Sequence, residues 1–196
     1  MIPIKTEEEI EIMKQGGKIL AEILRKLSEE VKPGMTTRTL EEKARELTKN
    51  YPDSKPAFLN YKGYPAALCV SINEEVVHGL PSQRKIERGD LVSLDFGLVY
   101  KGFNIDSATT VLVQSNENDP QIGFKKKLLK ITKECLEKGV EMARPGSTVG
   151  DIGSAIQKEA EKNGLTVIRD LVGHGIGKDL HEDPEVPNFD MKRGGI

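Results

Sequence analysis

Leu91-Val-Ser-Leu-Asp95-Phe-Gly97-Leu-Val-Tyr-Lys-Gly102-Phe-Asn-Ile-Asp106-Ser-Ala-Thr-Thr-Val-Leu-Val113 reads as two runs of β-formers joined by a short turn. Apolar and β-branched residues on both sides of a glycine-containing turn are the signature of a hairpin. With Tyr100 and Lys101 as the two loop residues, Val99 faces Gly102 and, counting back, Asp95 faces Asp106. Directly opposed residues on one face of an antiparallel pair hold their Cβ atoms about 5 Å apart. Two carboxylates that close repel in a half-buried strand pair, and a bound cation removes the conflict. The competing reading is a solvated face, and a one-residue bulge at the turn would put the two side chains on opposite faces. Asp is depleted in strands, so two in matched positions call for a reason.

The 196 residues suffice for one core or a two-lobed single domain. Net charge is −2, with a pI of about 6.0. That balance argues against a nucleic-acid footprint, so DNA is not an expected partner. No apolar run approaches membrane-spanning length, which excludes a membrane partner of that kind. Cys69 and Cys135 stand apart from any C-x-x-C pattern. Two isolated thiols and the absence of an export segment fit a cytoplasmic protein.

Outward from the hairpin the elements repeat. Thr6 with Glu9 forms a capping-box pattern, and Met13, Gly17, Leu20, Leu24, Leu27 and Val31 recur at helical spacing until Pro33-Gly34. A second helix is expected from about Thr37, with Leu40, Ala44 and Leu47 on one face. Tyr51 to Gly63 reads as loop and short strand, Ala67 to Ile72 as a strand, and Val76 to Gly79 as short and extended. After the hairpin, Phe124, Leu128, Ile131, Cys135 and Met142 mark a third helix ended by Pro145-Gly146. Thr148 and Asp151 cap a fourth, which ends at Asn163-Gly164. An apolar strand over Leu165 to Leu171 then leads into Gly173-His174-Gly175. The Pro-Gly-x-Thr junctions at Pro33 and Pro145 lie 112 residues apart in the same element order. An internal duplication follows, with halves of about 1–112 and 113–196 within a single domain.

The histidines are His78, His174 and His181. His174 sits between glycines, which let a backbone bend sharply or approach something closely. A buried structural histidine is the plain alternative for it, and a surface histidine for His78. No helix follows the glycines, so a phosphate loop is not indicated.

Five segments together carry a resemblance: Tyr61-Lys-Gly-Tyr-Pro65, Cys69-Val-Ser-Ile-Asn73-Glu-Glu-Val-Val-His78-Gly79, Asp95-Phe-Gly97, Asp106-Ser-Ala-Thr109, and Gly173-His174-Gly-Ile-Gly177 followed by His181-Glu-Asp-Pro184. Over about Thr6 to Phe189 the chain resembles the bacterial-type (type I) methionine aminopeptidases of the pita-bread metallohydrolase superfamily. The resemblance implies an α/β (α+β) fold of two pseudo-symmetric halves, with helices packed on a curved, mainly antiparallel sheet and the second half incomplete. It implies hydrolysis that removes the initiator methionine from nascent peptides near the ribosome, by a monomer. It further implies two divalent metal ions (Co, Mn, Fe or Zn) held by residues matching Asp95, Asp106 and His174. Asp95 would bind one ion through both oxygens, Asp106 would bridge the two, and His174 would hold the other. Residues matching His78 and His181 contact substrate at the scissile amide, and those matching Phe58, Tyr61, Tyr64 and Cys69 line the pocket for the methionine side chain.

The family supplies two further glutamate ligands, one in a Thr-x-Glu-Pro motif, and Glu182 and Glu185 do not match them. The sequence therefore reads as a C-terminally truncated version in which three of five ligands remain. On that reading, activity is doubtful and the stretch from about Pro184 poorly anchored. The alternatives are a non-catalytic pita-bread binding protein and another metallo-aminopeptidase of the superfamily, such as a proline-specific one.

Overall fold

Thr6 starts the first helix as its sequence requires. Its hydroxyl accepts from the Glu9 N–H at 3.2 Å and the Glu9 carboxylate accepts from the Thr6 N–H at 2.9 Å, so two orphan donors are satisfied reciprocally. Helix α1 (Glu7–Glu30) ends before Pro33-Gly34, and α2 (Thr37–Thr48) follows under a Thr36 cap. The computed structural model describes residues 2–114 and 119–191.

The strands are β1 (Ser54–Pro56), β2 (Leu68–Ile72), β3 (Leu91–Tyr100) and β4 (Phe103–Leu112), all antiparallel. β3 is central: β4 runs along one edge, while β2 and β1 share the other. Val92, Leu94, Phe96 and Leu98 alternate with Ser93, Asp95 and Gly97, and those four apolar residues are fully buried. They pack with Leu20, Ile23 and Leu27 of α1, Leu40 and Ala44 of α2, and Val70 and Ile72 of β2. This is the one-faced burial expected of an antiparallel sheet. Each such Leu or Ile contributes about 2 kcal/mol on leaving water.

Two expectations are corrected here. The hairpin loop is Lys101-Gly102, not Tyr100-Lys101, because Tyr100 pairs with Phe103. Lys101 and Gly102 have φ of +48° and +85°. A two-residue hairpin loop of the I′ kind needs both residues left-handed, and glycine supplies the second at no steric cost. Tyr100 as the first loop residue would have carried that conformation on an aromatic side chain that instead packs against the core. Val76–Gly79 is not an extended stretch either: His78 has φ +59° and the segment is loop.

The chain divides into two units, Ile4–Ile122 with Ile176–Leu180, and Met1–Pro3 with Gly123–Gly175 and His181–Ile196. In the second, α3 (Ile122–Met142) and α4 (Val149–Lys162) enclose Ile131, Cys135 and Ala160. Leu165 to Leu171 forms no strand. Leu165 and Val167 pack against that small core, and Ile168 and Leu171 are exposed. β5 (Gly173–Gly175) pairs antiparallel with β6 (Glu182–Val186), with a register slip after His174. The segment after Pro184 is held, contrary to expectation. It lies in β6, the Asp190 N–H donates to Gln157 Oε1 at 2.8 Å, and Arg169 stands 4.8 Å over the Phe189 ring. Residues 192–196, the end of the sequence expected to lack a second hairpin, lie outside the described residues.

The two Pro-Gly-x-Thr junctions have the same local geometry. Gly34 and Gly146 have φ of +86° and +89°. Thr36 and Thr148 are both extended caps, accepting from Thr39 and Asp151 N–H.

Candidate active site

The face of the sheet turned away from α1 and α2 is polar. Cys69 and Ser71 of β2, Ser93 and Asp95 of β3, and Asp106 and Thr110 of β4 share it by register. Asp95 lies opposite Ala108, and Asp106 opposite Gly97. The carboxylates are therefore diagonal neighbours on one face, two residues out of step, instead of directly opposed. They still come within interaction range, since Asp95 acts on the Asp106 carboxyl through its charge and a side-chain hydrogen bond. Burial first, then the negative charge of Asp95 and the hydrogen bond to it, push the Asp106 carboxyl up to about 7, against the lowering effect of the Ser107 N–H. Two hard oxygen donors that cannot both ionise comfortably in a half-buried place form a donor set suited to a cation.

Beside the pair is an apolar cluster: Phe58, Cys69 and Leu180, flanked by Ala57, Tyr61, Tyr64 and Ile176. All four sequence-assigned pocket residues are in it. Cys69 lies directly opposite Asp95. Burial pushes its thiol up to about 11, and the Asp95 and Asp106 charges add to that, so it is a soft apolar wall and not a nucleophile. Gly97 leaves room for the Phe58 ring, since a Cβ there would come within 2.8 Å of Phe58 Cδ1.

His78 is on the exposed loop between β2 and β3. One contributor escaped the sequence reading. Asn104 is buried and its Nδ2 donates to the carbonyls of Gly177 (3.1 Å) and Lys178 (2.9 Å). It binds the segment lying in sequence between His174 and His181. An Asn inside a strand pattern was the available signal.

In the second unit, the His174 and His181 rings stack with centroids 4.1 Å apart and planes tilted by 42°. His174 Nδ1 is 2.9 Å from the Gly175 carbonyl oxygen. A carbonyl only accepts, so Nδ1 is the donor in this contact, which leaves Nε2 as the ligating nitrogen of a neutral ring. This is the tautomer a metal-binding imidazole needs. Among the described residues, no group of three or more His, Cys, Asp or Glu side chains is arranged to hold a metal ion.

Residues 11–195 match the sequence profile of metallopeptidase family M24. The chain belongs to this family, among its methionine aminopeptidases. It is 45% identical over 190 residues to the methionine aminopeptidase of Clostridium acetobutylicum, covering 96% of this chain and 74% of that one. The methionine aminopeptidase of Aquifex aeolicus is 46% identical over 194 residues, 95% of this chain and 73% of its own. The crystal structure of the methionine aminopeptidase from Thermotoga maritima superposes with a TM-score of 0.92 at 45% identity, covering all of this chain and 77% of that one. The pita-bread fold of family M24, mixed α/β with antiparallel sheets, is thereby the fold of this chain. As an M24 metallopeptidase it belongs to a family of metal-dependent hydrolases.

Proposed function

We propose that this chain performs methionine aminopeptidase chemistry, hydrolysing the amide after an N-terminal methionine, in the cytoplasm, as a monomer, on nascent chains near the ribosome. The observation that carries the reading is the Asp95–Asp106 pair beside the Phe58, Tyr61, Tyr64 and Cys69 cluster. Asp95 and Asp106 supply carboxylate ligands and His174 an imidazole ligand, through Nε2. Divalent ions of the Mn, Fe, Co or Zn class, two in number, would be held by these residues and would supply Lewis acidity and a nucleophile at neutral pH. The aromatic rings and neutral thiol take the methionine side chain, since thioethers pack favourably on aromatic edges. His78 and His181 contact the bound peptide at the scissile amide and go on to stabilise the developing oxyanion and the leaving amine. A net charge of −2 speaks against a nucleic-acid partner, and no helix among the described residues is long and apolar enough to cross a membrane.

The resemblance includes two more glutamate ligands, one in Thr-x-Glu-Pro, and that tetrapeptide does not occur among these 196 residues. Removing the Asp95 or Asp106 carboxylate is expected to weaken Mn(II) or Co(II) binding and to lower methionine release. The deciding experiment measures metal affinity by calorimetry and methionine release from a Met-Ala-Ser peptide, beside one of the longer relatives. Metal affinity unchanged in Asp95→Asn and Asp106→Asn would overturn the ligand assignment. Turnover equal to the relative's would show that other side chains complete the donor set.

A further inference from the structure

Next to His78 the loop is fastened to the sheet at Gly79. Gly79 follows His78 directly. Its carbonyl oxygen accepts from the Val70 N–H at 2.9 Å and from the Tyr64 hydroxyl at 3.1 Å. Its N–H donates to Ser71 Oγ at 3.1 Å. Val70 and Ser71 belong to β2, whose other edge is paired with β3, so Gly79 closes the strand's outer edge. The approach is too tight for any side chain, as a Cβ on Gly79 would lie 2.7 Å from the Val70 carbonyl carbon and 2.8 Å from Ser71 Cα. Backbone immediately before this point is forced into the left-handed region at His78, φ +59°, a conformation that non-glycine residues avoid unless surroundings impose it.

Elsewhere the loop is secured on both sides. Upstream, Asn73 accepts from the Leu91 N–H at 2.9 Å and donates to Asp90 at 2.8 Å, and Glu75 pairs with Arg84 at 2.8 Å. Downstream, the Ser82 N–H donates to Thr37 Oγ1 at 2.8 Å and the Arg38 N–H to the Ser82 carbonyl at 2.9 Å. Residues 73–78 are nonetheless exposed, and the His78 side chain has no core packing to hold its direction. The direction is therefore set by the backbone that leaves Gly79.

We propose that Tyr64 is a positioning residue for His78: its hydroxyl, with Ser71 Oγ and the Val70 N–H, clamps Gly79 and so fixes the left-handed His78 backbone that aims the imidazole. This rests on the assignment of His78 to the substrate side of the site, and adds to Tyr64 a role separate from its ring in the apolar cluster. The phenol suits the task. Burial holds its hydroxyl protonated far beyond the physiological range, and of its two carbonyl acceptors Gly79 at 3.1 Å is nearer than Leu68 at 3.4 Å. Ser71 is itself buried and shares the face of Cys69 and Asp95. The clamp is thus built from the same strand face as the carboxylate pair.

The test uses the metal-free 196-residue chain and two variants, Tyr64→Phe, which keeps the ring and removes the hydroxyl, and Ser71→Ala. Amide hydrogen exchange is followed at Gly79, with the Leu94 and Leu98 amides as internal controls for an intact fold. Nuclear magnetic resonance order parameters are followed at His78. Tyr64→Phe should speed Gly79 exchange about fivefold, the worth of one net hydrogen bond, and lower the His78 order parameter. Ser71→Ala should do so at least as strongly, with the controls unchanged in both. Unchanged exchange and order in both variants would overturn the clamp. Should Tyr64→Phe also expose the control amides, Ser71→Ala decides alone. The His78 assignment is tested separately by affinity for a Met-Ala-Ser peptide. His78→Ala and Tyr64→Phe should each weaken it, and the double variant should be no weaker than His78→Ala. A His78→Ala chain that binds like wild type sinks the His78 assignment and leaves the clamp to be judged by exchange. Additive losses show that Tyr64 acts through its own contact and overturn the positioning role.

Discussion

Asp106 lies opposite Gly97 and diagonally across from Asp95, so the two carboxylates share a face and a hydrogen bond without sharing a position in the ladder. The offset has a use. Directly opposed carboxylates would be pressed together by the strand spacing, whereas diagonal ones converge at their tips. It also places the residue without a side chain, Gly97, across from Asp106, where the Phe58 ring enters.

The pair predicts a pH dependence of the metal-free chain. Asp106 titrates at about 7 when folded, against an ordinary 3.8. The folded state thus favours its protonated form. That contribution to stability is fully present below about pH 4 and is lost as pH rises through about 7. Urea unfolding in EDTA should show stability falling between pH 5 and pH 8, and Asp106→Asn should flatten the slope. Manganese added to wild type should recover part of the loss at pH 8. A metal-free stability that rises across this window would refute the upward shift of the Asp106 carboxyl.

Gly97→Ala should disturb the pocket more than the fold. The new methyl would meet Phe58 Cδ1 at 2.8 Å and Ala57 Cβ at 3.0 Å, and an aromatic ring can swing where backbone cannot. Overpacking of this kind costs about 1–3 kcal/mol. The measurement is affinity for Met-Ala-Ser against Ala-Ala-Ser peptides, together with thermal unfolding. Preference for the methionine peptide should shrink while the chain remains folded. An unchanged preference would remove Phe58 from the pocket.

What the sequence showed depended on whether the signal was local. Both Thr caps, both Pro-Gly stops and the alternation in β3 follow from residues within a few positions of one another, and all are present. The hairpin register turned on one turn residue, and the positive-φ requirement of a two-residue loop already favoured Lys101-Gly102 over Tyr100-Lys101. Leu165 to Leu171 has the composition of a strand but finds no ladder partner among the described residues, and composition alone cannot provide one. Of the site, the residues with unusual chemistry in strands or between glycines were visible. Asn104 was visible only as an Asn in a strand pattern and the Gly79 clamp not at all, because their meaning lies in contacts with segments distant in sequence.

Glu41 is a buried carboxylate whose removal should be felt at β2. Its Oε1 accepts from the Ala67 N–H at 3.0 Å and from Arg45 Nε at 2.5 Å. Glu41→Ala leaves a buried N–H and a guanidinium without that acceptor, at a cost of about 1–3 kcal/mol. Glu41→Gln keeps a carbonyl oxygen in place and should cost less. Chemical denaturation of the two variants ranks them, and a Gln variant no better than Ala would mean that the charge, not the acceptor, is what matters.

Asn104 gives the sharpest test of side-chain polarity, because its amide nitrogen faces two acceptors at once. Nδ2 donates to the Gly177 and Lys178 carbonyls, while the Asn104 backbone N–H already donates to Gly177 at 2.7 Å. Asn104→Ala removes two donors and keeps the backbone bond, so the Ile176–Leu180 segment should loosen without leaving. Asn104→Asp is nearly isosteric, yet at neutral pH it would set a carboxylate against two carbonyl oxygens. Acceptor against acceptor is worse than a missing donor, since the charge is buried without a partner. The aspartate variant should therefore be the less stable of the two at pH 8, and the gap should narrow at low pH, where a protonated carboxyl can donate to one carbonyl. Trypsin provides a local readout, since Lys178 pairs with Glu9 at 3.4 Å and lies over the Phe103 ring. Cleavage after Lys178 should be slow in wild type, faster in Asn104→Ala and fastest in Asn104→Asp at pH 8. Equal cleavage in all three would mean that the segment is held by the backbone bond and by Ile176 and Leu180 packing, and that the amide contributes nothing to its anchoring.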